Sequence, residues 1–136
     1  MLQKALIFPT NPFFRSACFA AAIFAIIQLF WLGSKPVGVN LFNPPWDKLA
    51  HVATYLTICL LLWCGTGLRR RIVVVFVIAC VASADEVHQL WLPGRSADWN
   101  DLAADAAALA IFWLITTIYL RYVSAMTIVP LSIQSD

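Results

Sequence analysis

Apolar residues run in long stretches along the 136-residue chain, and short polar connections separate them. The hydrocarbon core of a bilayer is about 30 Å thick, and a helix needs about 20 mainly apolar residues to cross it. Four stretches meet that length, at about residues 13–32, 49–68, 72–92 and 101–120. The pattern therefore predicts an all-α membrane protein, a bundle of four transmembrane helices that forms a single domain over residues 1–136.

Parts of this pattern admit other interpretations. The first stretch follows basic residues, as a secretory signal does, but it is long and lacks a clear A-x-A cleavage site, so we expect a retained helix. The uncharged part of the third, Ile72–Ala84, is shorter than a full span, which leaves a re-entrant segment as an alternative. After the fourth, Tyr122–Ile133 is moderately apolar and contains Pro130, which predicts a short interfacial end and no fifth span.

Composition strengthens the membrane interpretation. The chain is 62% hydrophobic and 12% charged, whereas soluble domains are about 25% charged. A net charge of +2 with dispersed basic residues argues against nucleic acid as a partner. The four cysteines lie in apolar stretches without metal-ligand spacing, which is typical of thiols that pack as small apolar side chains.

Basic residues predict the orientation of the helices, because cytoplasmic loops carry an excess of Lys and Arg. With the N-terminus inside, the cytoplasmic side carries Lys4, Arg15, Arg69, Arg70, Arg71 and Arg121. The outer side then carries only Lys35, Lys48 and Arg95, so both termini are predicted to be cytoplasmic. Tryptophan rings prefer the headgroup level. The aromatic residues agree with this orientation, since Trp63, Tyr119 and Tyr122 fall toward the inner interface. The outer interface carries Trp31, Trp46, Trp91 and Trp99.

In this orientation the acidic residues are concentrated on one side of the membrane. Six of the seven lie on the outer side, namely Asp47, Asp85, Glu86, Asp98, Asp101 and Asp105. Ionisable groups near hydrocarbon are costly and usually face a protein interior or a watered cavity. We therefore expect a polar pocket that opens to the outer face.

The second stretch begins with polar residues at helical spacing. Lys48, His51 and Tyr55 are spaced i, i+3, i+7 and share one face of a helix. Asp47, at the start of this helix, is favoured there by the helix dipole. An interfacial cap with a snorkelling lysine would produce the same pattern without any function.

The third and fourth stretches carry carboxylates where they approach each other. Asp85 and Gln89 are spaced i, i+4, and the short connection after Pro93 keeps Asp101 and Asp105 close to them. The buried Asp85 needs a partner, for which Lys48, His51 and Arg95 are the candidates. The dipole alone explains acids in a first helical turn, with Ser96 or Asp98 as the N-cap, but Asp105 lies beyond that turn.

These polar positions resemble the motif of the VanZ-like family of small integral membrane proteins. The motif reads D-K-x-x-H-x-x-x-Y and then D-E-x-x-Q-x-x-x-P-G-R-x-x-x-x-x-D-x-x-x-[ND], within about Trp46–Leu109. Its residues here are Asp47, Lys48, His51, Tyr55, Asp85, Glu86, Gln89, Pro93, Gly94, Arg95, Asp101 and Asp105. Asp105 replaces a common Asn, and Ala108 replaces a usual Gly. The family name implies a link to resistance against teicoplanin, a lipidated glycopeptide that acts on cell-envelope precursors.

The leading hypothesis is that the pocket binds or processes an outer-leaflet cell-envelope lipid or lipid-linked precursor in the bacterial cytoplasmic membrane. The expected substrate-binding residues are Asp47, Lys48, Tyr55, Gln89, Arg95, Asp101 and Asp105. Three side chains that can transfer protons, His51, Asp85 and Glu86, are the candidate catalytic residues.

Other functions remain open at this level. No cofactor is expected, although His51, Glu86, Asp101 and Asp105 are a weaker alternative as ligands of a divalent metal, because no HExxH-like ligand pair is present. A structural or assembly module with a membrane-protein partner would use the charges to specify packing. Ion or proton translocation through Asp85 is a third possibility, but no acid in the inner half of a predicted helix continues the path.

Overall fold

The described part of the chain forms four α-helices. The structure is a computed structural model that describes residues 11–35, 46–93 and 98–127. The helices are α1 (Pro12–Gly33), α2 (Trp46–Gly65), α3 (Arg71–Gln89) and α4 (Trp99–Thr127), and the described residues contain no strand. Each helix is long and apolar enough to cross a membrane, with a mean hydropathy between 1.4 and 2.0 over its most apolar part. The predicted bundle of four transmembrane helices is confirmed.

The helix boundaries correct several predicted ones. The region at 122–127 continues α4, which is therefore longer than predicted, and the interfacial position of the tail stays a prediction. No proline or glycine interrupts that segment, and the residues from 128 on lie outside the described part of the chain. Helix α3 is one continuous helix of 19 residues, long enough for a full span, so the geometry gives the re-entrant alternative no support.

Helix α2 begins at Trp46 and ends at Gly65, about three residues earlier at each end than predicted. Its end is set by a left-handed turn, in which Gly67 has φ 67° and Leu68 has φ 63°. The amide of Gly67 donates to the Cys64 carbonyl, and the amide of Leu68 donates to the Trp63 carbonyl. This is the Schellman pattern, for which glycine is favoured at the left-handed position. Helix α1 has a capping signal at its start. The Asn11 side chain accepts a hydrogen bond from the Phe13 amide, and Pro12 is the first residue of the helix.

Helix α2 is central and packs against the three other helices. Tyr55, Ile58, Ile78 and Phe112 are completely buried where α2, α3 and α4 meet. Most other large apolar side chains point outward, as expected where the surrounding medium is lipid tails. The core is therefore narrow, and the buried residues among those described include five polar or charged ones, Asp85, Glu86, Gln89, Asp105 and Thr116.

The aromatic residues support the predicted interfaces in part. Trp31, Trp46, Trp91 and Trp99 are exposed at one end of the bundle, as predicted for rings at one membrane surface. Trp63 is different, because it is buried and its ring packs edge-on against Phe112 and Tyr119. Trp63 lies two residues before the end of α2, at the opposite end of the bundle, where its ring completes the core between α2 and α4. Its position at the inner interface stays a prediction.

Candidate functional site

Polar side chains from α2, α3 and α4 meet at one end of the bundle. They come from the start of α2, the end of α3 and the start of α4, which the alternating directions of the helices bring to the same level. We call this set the polar cluster: Asp47, Lys48, His51, Tyr55, Asp85, Glu86, Gln89, Asp98, Asp101 and Asp105.

Lys48 is the cation at the outer edge of the cluster. Its Nζ lies 3.1 Å from Asp47 Oδ2 and 2.9 Å from Asp98 Oδ2, and it also pairs with Asp101 Oδ1. The lysine side chain is 29% exposed, so these ion pairs lie at a boundary between solvent and core. Because three carboxylates surround one ammonium group, Lys48 is fully engaged and connects α2 to α4.

His51 lies one helical turn deeper and pairs with two acids of α4. Its Nδ1 is 3.0 Å from Asp105 Oδ1, and its Nε2 is 3.8 Å from Asp101 Oδ1. The Asp105 side chain is only 1% exposed, whereas that of His51 is 18% exposed. A buried carboxylate at this distance accepts a hydrogen bond from protonated Nδ1 and so holds the imidazole in one orientation.

Asp85 forms a second buried group with Tyr55 and Gln89. The Tyr55 hydroxyl and the Gln89 amide both donate to Asp85 Oδ2, at 3.4 and 3.3 Å. All three side chains are buried. The expected partners Lys48 and His51 do not bond to Asp85, because each is already held by the acids of α4, and the third candidate, Arg95, lies outside the described residues.

Glu86 and Asp98 connect α3 to the start of α4. The Asp98 amide donates to Glu86 Oε2 at 3.0 Å, and Asp98 Oδ1 accepts from the Asn100 amide at 2.9 Å. Asp98 is thus the N-cap of α4, as the sequence predicts. The hydrogen bond from the Asn100 backbone, followed by the bond from Lys48, holds the pKa of Asp98 below its usual value.

Several polar atoms near this site have no hydrogen-bond partner among the described residues. They are Asp47 Oδ1, Glu86 Oε1, His88 Nδ1 and Asp105 Oδ2. A buried carboxylate oxygen without a donor is costly, so such atoms are natural positions for a ligand or water to bind.

A cavity of about 260 Å³ lies between α3 and α4, next to the polar cluster. Glu86 and Asp98 belong both to the cluster and to the cavity wall. The remaining wall is formed by Ser83, Val87, Leu90, Trp99 and Leu102.

The structure brings together nine of the predicted site residues and leaves one undescribed. Arg95, expected to bind an anionic group, lies outside the described residues. Asp98 was assigned only a capping role, although its i, i+3, i+7 spacing with Asp101 and Asp105 indicated the same helix face.

The metal alternative finds no support in this geometry. Within 11–35, 46–93 and 98–127, no three His, Cys, Asp or Glu side chains are arranged to hold a metal ion. Of the four residues considered from the sequence as metal ligands, Glu86 accepts from the Asp98 amide, whereas His51 pairs with Asp101 and Asp105.

A four-helix, multi-pass membrane protein with a polar cluster at one end is the class that this fold and site define. Within that class the chain belongs to the VanZ/LLP1 family, whose model matches residues 9–121. Membership is consistent with the association of VanZ with teicoplanin resistance. No curated protein and no solved structure matches the chain.

Proposed function

We propose that the polar cluster binds or processes an outer-leaflet cell-envelope lipid or lipid-linked precursor in the bacterial cytoplasmic membrane. The observation that carries this proposal is the pairing of His51 with the buried Asp105, whose second oxygen has no partner among the described residues. A side chain that can transfer protons, a carboxylate that orients it and a carboxylate oxygen without a hydrogen-bond donor thus occur together inside an apolar bundle.

The charge of the cluster argues for a ligand. Among the residues that the structure describes, it contains six carboxylic acids but only Lys48 and His51 as basic residues. Buried carboxylates in excess of their counter-ions are expensive to maintain, and apolar residues of similar size would stabilise a bundle as well or better. An excess of acceptors is useful when a bound molecule supplies hydroxyl or ammonium donors, as lipid headgroups and sugars do.

The arrangement around His51 would also suit a reaction. An imidazole whose Nδ1 is fixed by a carboxylate can accept or donate a proton through Nε2. In this protein Nε2 faces Asp101 rather than a hydrophobic wall. Asp85 is held by two neutral donors, so its carboxyl group is a second place where a proton can reside.

Location supports a lipid-like ligand over a soluble one. The cluster lies at the ends of membrane-spanning helices, with exposed Trp91 and Trp99 beside it. The predicted orientation places this end at the outer surface, where teicoplanin meets envelope precursors. Ion or proton translocation is less favoured, because every acid among the described residues lies at this one end.

A structural or assembly role is the second candidate, and one observation favours it. Lys48 pairs with Asp98 and Asp101 and so ties α2 to α4. Ion pairs of this kind can specify helix packing without any chemistry. In that case the same substitutions that remove the phenotype would also prevent folding.

The test separates folding from function. His51→Ala and Asp105→Ala are each expressed in a bacterial host that lacks its own copy of the gene, with Cys80→Ala as the matched control because Cys80 is exposed outside the cluster. We expect both cluster variants to reach the membrane and purify as folded protein, yet to lose the teicoplanin tolerance and the co-purified lipid of the wild type. Wild-type tolerance and wild-type lipid in both variants would refute the proposal, and loss of folding in both would favour the structural role.

A further inference from the structure

We propose that the cavity between α3 and α4 is a lateral binding site for the primary ammonium group of a membrane lipid, with Glu86 as its counter-ion. This inference rests on the proposed function, because it names the ligand chemistry of the cavity that adjoins the polar cluster. Glu86 and Asp98 supply the negative charge, and the apolar wall accommodates the adjoining part of the lipid.

The cavity opens toward the lipid rather than toward the bundle axis. Val87 and Leu90 on its α3 wall are 55% and 64% exposed, and Trp99 on its α4 wall is 83% exposed. Since α3 and α4 both have the length and composition of membrane spans, these surfaces face acyl chains or the headgroup region. A lipid can therefore reach Glu86 sideways, with its tails remaining in the bilayer.

Glu86 is the independent observation that indicates a ligand. Glu86 is nine-tenths buried and belongs to the cavity wall. One oxygen, Oε2, accepts from the Asp98 amide, while Oε1 has no partner among the described residues. Because Oε1 is enclosed, the Glu86 carboxylate has to turn toward the cavity for an ammonium group, which carries several N–H donors, to satisfy this oxygen and neutralise the charge.

The local charges favour a cation over an anion. Lys48, which could attract a phosphate, is already surrounded by Asp47, Asp98 and Asp101. Among the described residues, the cavity wall contains two acids and no basic residue. Trp99 adds an aromatic ring, which attracts cations through its π face.

The volume limits the part of the ligand that enters. Sites for drug-sized molecules are about 300–1,000 Å³. This cavity, at about 260 Å³, is smaller and suits a headgroup fragment such as an ethanolamine unit rather than a complete glycolipid. The phosphate of such a lipid would remain near the opening.

The experiment compares headgroups on the full-length protein in detergent. Dihexanoyl phosphatidylethanolamine and dihexanoyl phosphatidylcholine have the same charge and tails, but only the first has N–H donors. We expect wild-type protein to bind the ethanolamine lipid about tenfold more tightly, since a hydrogen bond to a charged group contributes about 1.5–3 kcal/mol. Glu86→Gln should reduce this preference to less than about twofold. Soluble glycerophosphoethanolamine, which lacks acyl chains, should bind much more weakly than the lipid.

A second pair of variants leaves the carboxylate in place. Leu102→Trp fills the cavity and should weaken binding of both lipids, whereas Leu114→Trp, an exposed position on the same helix outside the cavity wall, should leave the affinities unchanged. This pair keeps the test decisive if Glu86→Gln fails to fold. Dihexanoyl phosphatidylglycerol completes the series as the anionic probe.

Three outcomes would overturn the inference. They are equal wild-type affinity for the ethanolamine and choline lipids, preferential binding of phosphatidylglycerol, and an ethanolamine preference that survives Glu86→Gln. Soluble glycerophosphoethanolamine binding as tightly as the lipid would overturn the lateral route. Each of these results is distinct from failure of the proposed function, which is read from teicoplanin tolerance in the His51 and Asp105 variants.

Discussion

His51 Nδ1 lies 3.0 Å from Asp105 Oδ1, and this pair joins the central helix α2 to α4 through a carboxylate that is almost completely buried. Membrane-spanning bundles rarely bury such a group, because removal of a charge from water is expensive. The pair must therefore be mutually stabilising, whichever ligand the cluster takes.

A double-mutant cycle on His51 and Asp105 tests this coupling. Because a hydrogen bond to a charged group contributes about 1.5–3 kcal/mol, we expect His51→Ala and Asp105→Ala to show a coupling free energy of about 1–3 kcal/mol. Thermal or denaturant unfolding in detergent gives the four stabilities. As a control, His51→Ala combined with Cys80→Ala should be additive within about 0.5 kcal/mol. A His51–Asp105 coupling as small as that of the control would contradict the geometry.

Lys48→Met should destabilise the bundle more than loss of an ordinary surface lysine. The substitution leaves Asp47, Asp98 and Asp101 close together without a cation. Since Lys48 is 29% exposed and water screens part of the repulsion, we expect a loss of about 1–3 kcal/mol in the free energy of unfolding. Lys35→Met is the matched control, because Lys35 contacts only the face of the Trp31 ring among the described residues. Equal losses for the two variants would show that the three acids do not need Lys48.

The N-cap Asp98 predicts a pH dependence of stability. Its pKa is held below the usual value, so the folded state favours the charged carboxylate. That contribution is fully present above the unfolded pKa, near 3.8, and disappears as the pH falls through the lower folded pKa. The melting temperature of Asp98→Ala should therefore lie below that of wild type at pH 6, and the gap should narrow below about pH 4. Asn100→Ala is a comparison variant that keeps the Asp98 carboxylate and its hydrogen bond from the backbone of residue 100. Its melting temperature should therefore exceed that of Asp98→Ala at pH 6, and this difference should narrow below about pH 4 as it does for wild type.

The sequence predicts much of this site because two rows of residues have matching spacing. Lys48, His51 and Tyr55 follow the same i, i+3, i+7 steps as Asp98, Asp101 and Asp105. Helices α2 and α4 start at the same end of the bundle and run in the same direction. Lys48 therefore pairs with Asp98, and His51 pairs with Asp101 and Asp105. Hydrophobic length alone likewise predicts the four helices.

Other features depend on contacts that spacing does not reveal. Asp85 bonds to Tyr55 and Gln89, because the rotation of α3 about its axis decides which neighbour its carboxylate meets. The adjacent Glu86 projects about 100° away around the helix and reaches the Asp98 amide and the lateral cavity instead. Two neighbouring acids in the sequence thus belong to different parts of the site.

The orientation of the bundle remains a prediction, and cysteine labelling can decide it. Trp91, just after α3, is exposed at the end that carries the polar cluster, and Arg70, just before α3, is exposed at the opposite end. In intact cells, a membrane-impermeant maleimide should label Trp91→Cys and leave Arg70→Cys unlabelled until the membrane is opened. The native cysteines lie within helices α1 to α3, so the parent protein is the background control. The reverse labelling pattern would place the polar cluster in the cytoplasmic leaflet, and its ligand would then have to be sought among inner-leaflet lipids.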